Sequence, residues 1–185
     1  MSVRDGMASL IKLVRLLVAD PVDADQQFDD QEIQDALDRR RVDVRYLRLT
    51  PAPTYNADGT TDHLNYYARY GDWEEGVELY DSGYEKQTPS TSDLITGHWV
   101  FESNVDPPVF AVGSYYDVYA AAADLLETWA AALALEYDFD ADGARFSRSQ
   151  KREALLALAA KHRAQQRLGV VRRRRSDMGR GETWT

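Results

Sequence analysis

Ser114-Tyr115-Tyr116-Asp117-Val118-Tyr119-Ala120-Ala121-Ala122-Ala123-Asp124-Leu125-Leu126 continues through Trp129 to Tyr137 without a glycine or proline. Ser114 followed three residues later by Asp117 has the form of a capping box, so the spacing predicts a helix that opens at Ser114. Val118, Ala122, Leu125, Trp129 and Ala132 recur at helical spacing and form one apolar face. Alanine favours the helix and lets a neighbouring backbone approach closely. This stretch reads as the central helix of the molecule.

Three more helices are expected around it. From about Met7 to Ala19, Leu10, Leu13, Val14 and Leu17 fall on one stripe, with Lys12 and Arg15 off it. The next opens at Asp29: Glu32 completes a capping box, and Phe28 and Ile33 take the positions of a hydrophobic staple. Ile33, Ala36 and Leu37 form its short apolar face. Arg39, Arg40 and Arg41 are expected in its last turn, where cations complement the helix dipole. The last helix opens at Ser147, with Gln150 at the matching capping position. Ala154, Leu155, Leu158, Ala159 and His162 mark its buried side, and Lys151, Arg152, Lys161, Arg163 and Arg167 its wet side. Gly169 is the expected stop.

Between Val44 and Gly113 the pattern changes to Tyr, Val, Thr and Trp broken by turn residues, which reads as strand. Asp58-Gly59 suits a hairpin turn between Val44–Tyr55 and Asp62–Tyr70. Leu64, Tyr66, Ala68 and Tyr70 alternate with His63, Asn65, Tyr67 and Arg69, and Val77–Tyr80, His98–Glu102 and Val109–Val112 are further candidates. The expected fold is mainly α: a four-helix bundle with a β-rich insertion between helices two and three and an extended C-terminal arm. Its parts are 1–44 with 114–168 for the bundle, 45–113 for the insertion and 169–185 for the arm. The arm shows no helical or alternating period, and as a free monomer is expected to be disordered.

At 185 residues with 44% apolar and 29% charged side chains, the chain can build one ordinary domain with a real core. It contains no cysteine, which removes disulfides, thiolate metal sites and cysteine nucleophiles. His63, His98 and His162 are too scattered to suggest zinc. No apolar run reaches the ~18 residues a membrane helix needs. Lys12 and Arg15 interrupt Leu10–Val18 as a signal peptide, so a cytoplasmic protein with no membrane contact is expected.

The net charge of −9 hides a sharp division. Residues 1–147 hold 11 Lys and Arg against 28 Asp and Glu, whereas residues 148–185 hold 11 against 3. An acidic body argues against general nucleic-acid affinity. A chain polarised in this way is suited to meet an acidic surface with its cationic end, either within its own fold or on a partner.

Asp138-Phe139-Asp140-Ala141-Asp142-Gly143 resembles the start of an EF-hand loop, but Ser149 stands where the bidentate acid belongs and Arg145 where an apolar residue is usual. A solvated turn is the reading that fits. Arg172, Arg173, Arg174 and Arg175 could meet DNA phosphates or an acidic protein groove. With Trp184 near the end of the chain, the tail pairs steering charge with an apolar anchor, which favours docking on a protein. Ten of the eleven tyrosines lie between Tyr46 and Tyr119, beside Trp73 and Trp99. Such aromatics fit a sheet core, a subunit seam or a sugar platform. No Walker loop, dinucleotide fingerprint, nucleophile elbow or paired histidine motif occurs, so a non-enzyme without cofactor is expected.

The short first helix, the Phe28-Asp29-Asp30-Gln31-Glu32-Ile33 start, the alanine-rich Tyr116–Leu126 segment and the loop Asp142–Gln150 leading into a basic helix and polar tail together resemble the head–tail connector (adaptor, or head-completion) proteins of long-tailed bacteriophages. The resemblance covers the helices and tail, a little over half of the chain, and leaves residues from about Arg45 to Gly113 without a role. It implies a virion neck subunit, assembled in the host cytoplasm, that forms a twelve-fold ring (a dodecamer) under the portal. The ring would extend the channel through which DNA passes without specific binding, and a tail-completion protein would join its other face. On this analogy the portal-docking arm runs from Leu168 to Thr185 and includes Val170, Val171, Arg172 to Arg175, Met178 and Trp184. Lys151, Arg152, Lys161, Arg163 and Arg167 would face an acidic neighbouring subunit, as the heterologous interface of a ring requires. Two other functions fit parts of the sequence: a DNA-binding accessory protein using the basic C-terminal region, and a carbohydrate-binding module using Trp73 and Trp99.

Overall fold

One residue, Leu49, separates two strands that belong to different sheets. In the computed structural model, which describes residues 3–22, 26–134, 139–141, 144–146 and 148–166, strand β1 (Arg41–Arg48) pairs with β8 (Phe110–Tyr116), and β2 (Thr50–Tyr55) pairs with β3 (Thr61–Tyr67). Leu49 itself is buried, and its amide donates to Val109 O at 2.8 Å. The remaining strands are β4 (Glu78–Tyr80), β5 (Lys86–Gln87), β6 (Thr91–Asp93), β7 (His98–Val100), β9 (Phe139–Ala141) and β10 (Ala144–Phe146). Sheet one has the order β1-β8-β4-β5 and sheet two the order β2-β3-β7-β6, both antiparallel, while β9 and β10 form a separate hairpin. The helices are α1 (Ala8–Val18), α2 (Asp30–Asp38), α3 (Val118–Ala134) and α4 (Arg148–Gln165).

The architecture is thus a mixed α and β fold with two four-stranded sheets, and not the mainly α four-helix bundle expected from the sequence. The expectation rested on local helix caps. The sheets depend on pairings between distant segments, such as Arg41 with Tyr116, which leave no local signature. The same pairing corrects the start of the central helix. Ser114, Tyr115 and Tyr116 lie opposite Asp43, Val42 and Arg41 in β8, and the Ser114 hydroxyl donates to Asp43 at 2.6 Å. The cap of α3 is Asp117, whose carboxylate accepts from the Ala120 amide at 2.9 Å. Asp29 and Glu32 form the expected reciprocal capping box on α2. The three arginines after it do not sit in its last turn: the helix ends at Asp38, and Arg41 is already in β1.

The Asp58-Gly59 turn joins β2 to β3, and Gly59 has the positive φ of +84° that such a turn asks of glycine. The second sheet folds back over the first around Trp73, Trp99, Tyr66, Leu79, Val109 and Tyr115. Trp73 and Trp99 are almost wholly buried and meet edge to face at 5.6 Å, a preferred aromatic geometry. Each polar tip finds a partner, the Trp73 indole at Tyr70 O and the Tyr66 hydroxyl at Val105 O. Burial, with some help from Asp106, pushes the Tyr66 hydroxyl up to about 12. Gly97 makes this closure possible, because a Cβ there would stand 2.5 Å from Tyr70 O and 3.2 Å from the Trp73 indole nitrogen.

A second core lies among the helices, where Leu10, Val14, Ile33, Leu37 and Leu126 pack with Tyr116 and the consecutive Ala121, Ala122 and Ala123. Tyr116 ends β8 inside this core, so one strand feeds both halves of the molecule. Arg4 ties them together: its guanidinium donates to Asp38 of α2 at 2.8 Å, to Glu74 at 2.6 Å and to the Tyr116 hydroxyl at 2.8 Å. Burial first, and then the Glu74 carboxylate, hold the Tyr116 hydroxyl protonated well above its ordinary range.

Truncating Trp99 to alanine removes half of the edge-to-face pair and leaves a cavity that the surrounding strands cannot fill. The Trp99→Ala variant is expected to lose about 3–5 kcal/mol of unfolding free energy in denaturant titration. A loss below about 1 kcal/mol would mean that this aromatic pair does not hold the sheets together.

Candidate assembly surfaces

Helix α4 is fastened to the body along one side. Leu155, Ala159 and His162 are buried and Leu158 is half-buried, at the i, i+3, i+4, i+7 spacing of a single stripe. Ala154 was expected on that side, but it lies about 100° around the helix from Leu155 and is exposed. His162 Nε2 lies 3.1 Å from Leu17 O, which joins the C-terminal part of α4 to α1.

Two of the cations expected to meet a neighbouring subunit are engaged within the chain. Arg163 donates to Asp124 at 2.6 Å and to Glu127 at 2.8 Å, and Lys151 Nζ lies 4.6 Å from the Trp129 ring centroid. Arg152 and Lys161 are exposed and form no ion pair among the described residues. Between them the outward side of α4 carries Leu156, Ala157, Ala160 and Ala164, all exposed, with the exposed carboxylate of Glu153 among them. A helix face in water normally carries several charges, whereas this one has a single carboxylate, Glu153, among small and apolar side chains, with a cation at either margin.

Asp124 anchors the inner side. It accepts a two-pronged contact from Arg40, with both distances at 2.8 Å, in addition to Arg163. Its partial burial would raise its pKa, but the two guanidiniums outweigh that and hold the carboxyl below the usual aspartate range. The link between α2 and β1, helix α3 and helix α4 are thereby joined at one carboxylate.

A second surface was not anticipated. Lys12, Leu13, Leu16, Ala19, Val22 and Ile95 line an apolar groove of about 690 Å³ along the outer side of α1. Leu16 and Val22 are about three-quarters exposed, at 77% and 74%. The sequence signal was available: Leu16 falls off the apolar stripe of its helix, beside Lys12 and Arg15. Arg15 is turned away from solvent by Asp20, Asp30 and Phe28 O, at 3.2, 2.7 and 2.8 Å.

The other candidates separate cleanly. Trp73 and Trp99 are core residues and offer no ring face to a sugar. Asp138, Asp142 and Gly143 lie outside the described residues, as do Arg167, Leu168, Val170, Val171, Arg172, Arg173, Arg174, Arg175, Met178 and Trp184. Asp140 lies in β9, opposite Arg145 of β10. Among the described residues no group of three or more His, Asp or Glu comes together in a way that could hold a metal ion, and no helix is long and apolar enough to cross a membrane. Compared with protein-family models, curated proteins and solved structures, the chain matches none of them.

Replacing Asp124 with asparagine keeps the shape and removes the charge that two arginines share, and is expected to cost about 1–3 kcal/mol of stability at pH 7. Because the folded carboxyl titrates below its unfolded value near 3.9, its contribution is complete above that pH and disappears as pH falls through the lower folded value. Melting curves should therefore show the wild type losing stability on acidification below about pH 4 more steeply than Asp124→Asn. Parallel curves would contradict the shared-carboxylate account.

Proposed function

We propose that the chain is a structural subunit of the bacteriophage neck, a head–tail connector protein that assembles as a ring, docks on the portal through its C-terminal segment and carries the next neck or tail-completion protein. The observation that carries this reading is the outward side of α4. A helix locked to its own body by Leu155, Ala159, His162 and Arg163 presents Leu156, Ala157 and Ala160 to solvent around the lone carboxylate of Glu153, between Arg152 and Lys161. Such a face gains free energy by packing against another protein, and its cations match an acidic partner.

The charge division supports the same reading. A neighbouring copy presents the acidic residues 1–147 to the cations of α4, which is the head-to-tail complementarity a closing ring uses. An acidic channel wall would let DNA slide, because it offers its phosphates no counter-charge. The segment after Gln166 carries Arg172 to Arg175 and Trp184, charge and apolar anchor together, and is assigned to the portal. The role is structural rather than catalytic. The protein acts in the virion neck after assembly in the host cytoplasm.

The test is a titration of purified portal with the full chain and with a chain ending at Gln166. The full chain is expected to form rings visible by negative-stain microscopy, and its affinity should fall about tenfold or more as salt is raised from 0.1 to 0.5 M. The shortened chain should lose portal binding. Equal binding by both chains, or indifference to salt, would contradict the proposal. Tight, salt-resistant binding of duplex DNA in a gel shift would favour a DNA-binding protein instead.

A further inference from the structure

The outer side of sheet one carries an aromatic cluster built on strained backbone. Arg48 lies opposite Phe110, Phe110 opposite Tyr80 and Tyr80 opposite Lys86, so these side chains share one side of the sheet. Tyr46 and Tyr84 complete the cluster. The Tyr46 ring meets Tyr84 at 5.2 Å, Tyr80 at 5.8 Å and Phe110 at 6.4 Å, each edge to face, and Tyr84 stacks on Phe110 at 6.2 Å. Tyr46 and Tyr84 remain 49% and 62% exposed.

Both tyrosines have a left-handed backbone, with φ of +55° and +62°. Tyr46 occupies the bulge where β1 loses register with β8, between Val44 and Leu47. Tyr84 sits in a turn pinned by Asp81, whose carboxylate accepts from the amides of Gly83 and Glu85 at 2.8 and 3.0 Å and from the Gln87 side chain at 2.7 Å. Glycine would adopt either conformation without strain. The fold instead sets two adjacent tyrosines there and returns little of the cost through burial within the subunit. Strain maintained at a surface in this way points to a function of that surface.

We infer that this cluster, with Arg45 and Arg48 beside it, is a contact surface for the acidic face of a second copy of the chain. Both arginines are exposed and form no ion pair among the described residues, on a segment where acids outnumber bases by 28 to 11. Residues 1–147 of a second copy carry an excess of negative charge to meet them, while Glu78, the carboxylate beside Tyr80, is taken up by Lys86. Tyrosine and arginine are the side chains that concentrate binding energy at protein interfaces, and rigid tyrosines lose little entropy on contact. A sugar or a single-stranded nucleic acid would need an open, flat ring face, and here the perpendicular packing around Tyr46 turns rings against one another. The surface deepens the ring reading by giving the β half a place between subunits, and rests on it for the identity of the assembly.

Tyr84→Gly and Arg48→Glu in the full chain separate contact from folding. Tyr84→Gly relieves backbone strain, so its melting temperature should equal or exceed that of the wild type, while self-association, measured by mass photometry alone and on portal, weakens at least tenfold. Arg48→Glu should weaken it similarly. A benzophenone photo-crosslinker at position 84 should capture peptides from a second copy within residues 1–147. Unchanged self-association in both variants, wild-type chains that never associate, or crosslinks only to portal, to another neck protein or to nothing would overturn the inference. If the variants still bind portal singly, the portal reading survives its loss. If wild-type chains assemble through this surface but ignore portal, the inference survives and the portal reading fails.

Discussion

A single carboxylate, Asp124, fixes the relation between three segments that are far apart in the chain. It holds Arg40, which follows α2 and leads into β1, and Arg163, near the end of α4, while belonging itself to α3. Two guanidiniums around one carboxylate would repel each other without it, and a neutral side chain there would leave Arg40 without its ion pair and Arg163 with Glu127 alone. The consequence extends beyond stability. With Arg163 engaged inward and Lys151 over Trp129, α4 turns Leu156, its outer alanines, Glu153 and the remaining cations Arg152 and Lys161 toward other molecules.

The β half has its own core and its own outward surface, yet it is not a separable ornament. Strand β8 leaves the Trp73 and Trp99 core and places Tyr116 among the helices, and Arg4 bonds to Tyr116, Glu74 and Asp38 at the seam. A load carried by one half is therefore transmitted to the other through covalent strand and partly buried polar contacts. That continuity suits a subunit whose helical half and β half would both meet neighbours.

What was legible in the sequence was local. The capping box of Asp29 and Glu32 lies within one turn and forms as expected, whereas the stripe of Leu10, Leu13, Val14 and Leu17 holds only in part: Leu13 and Leu17 are partly buried, and the buried face of α1 is Leu10, Ile11, Val14 and Val18, with Arg15. The central helix shows the limit. Ser114 and Asp117 satisfy a capping pattern, and so does Asp117 alone. The choice between them was made by β1, some seventy positions away, which recruits Ser114 through Asp43. Val44–Tyr55 read as one strand because nothing in its composition marks Leu49 as the passage between two sheets. Strands β5 and β6 are two and three polar residues long and carry no alternation to detect. The α4 cations were recognisable as a basic face, but only their partners decide which are spent internally. The tyrosines were countable, whereas the left-handed backbone at Tyr46 and Tyr84 is visible only in three dimensions.

The central claim is that α4 is braced inward so that its alanine-rich outer side, which holds Glu153 and is framed by Arg152 and Lys161, can receive another subunit. Cryo-electron microscopy of the full chain in the proposed assembly with a portal protein tests this most directly. The account predicts that Ala157 and Ala160 lie against a neighbouring chain while Arg163 stays on Asp124. An assembled ring in which that side of α4 faces only solvent would contradict it.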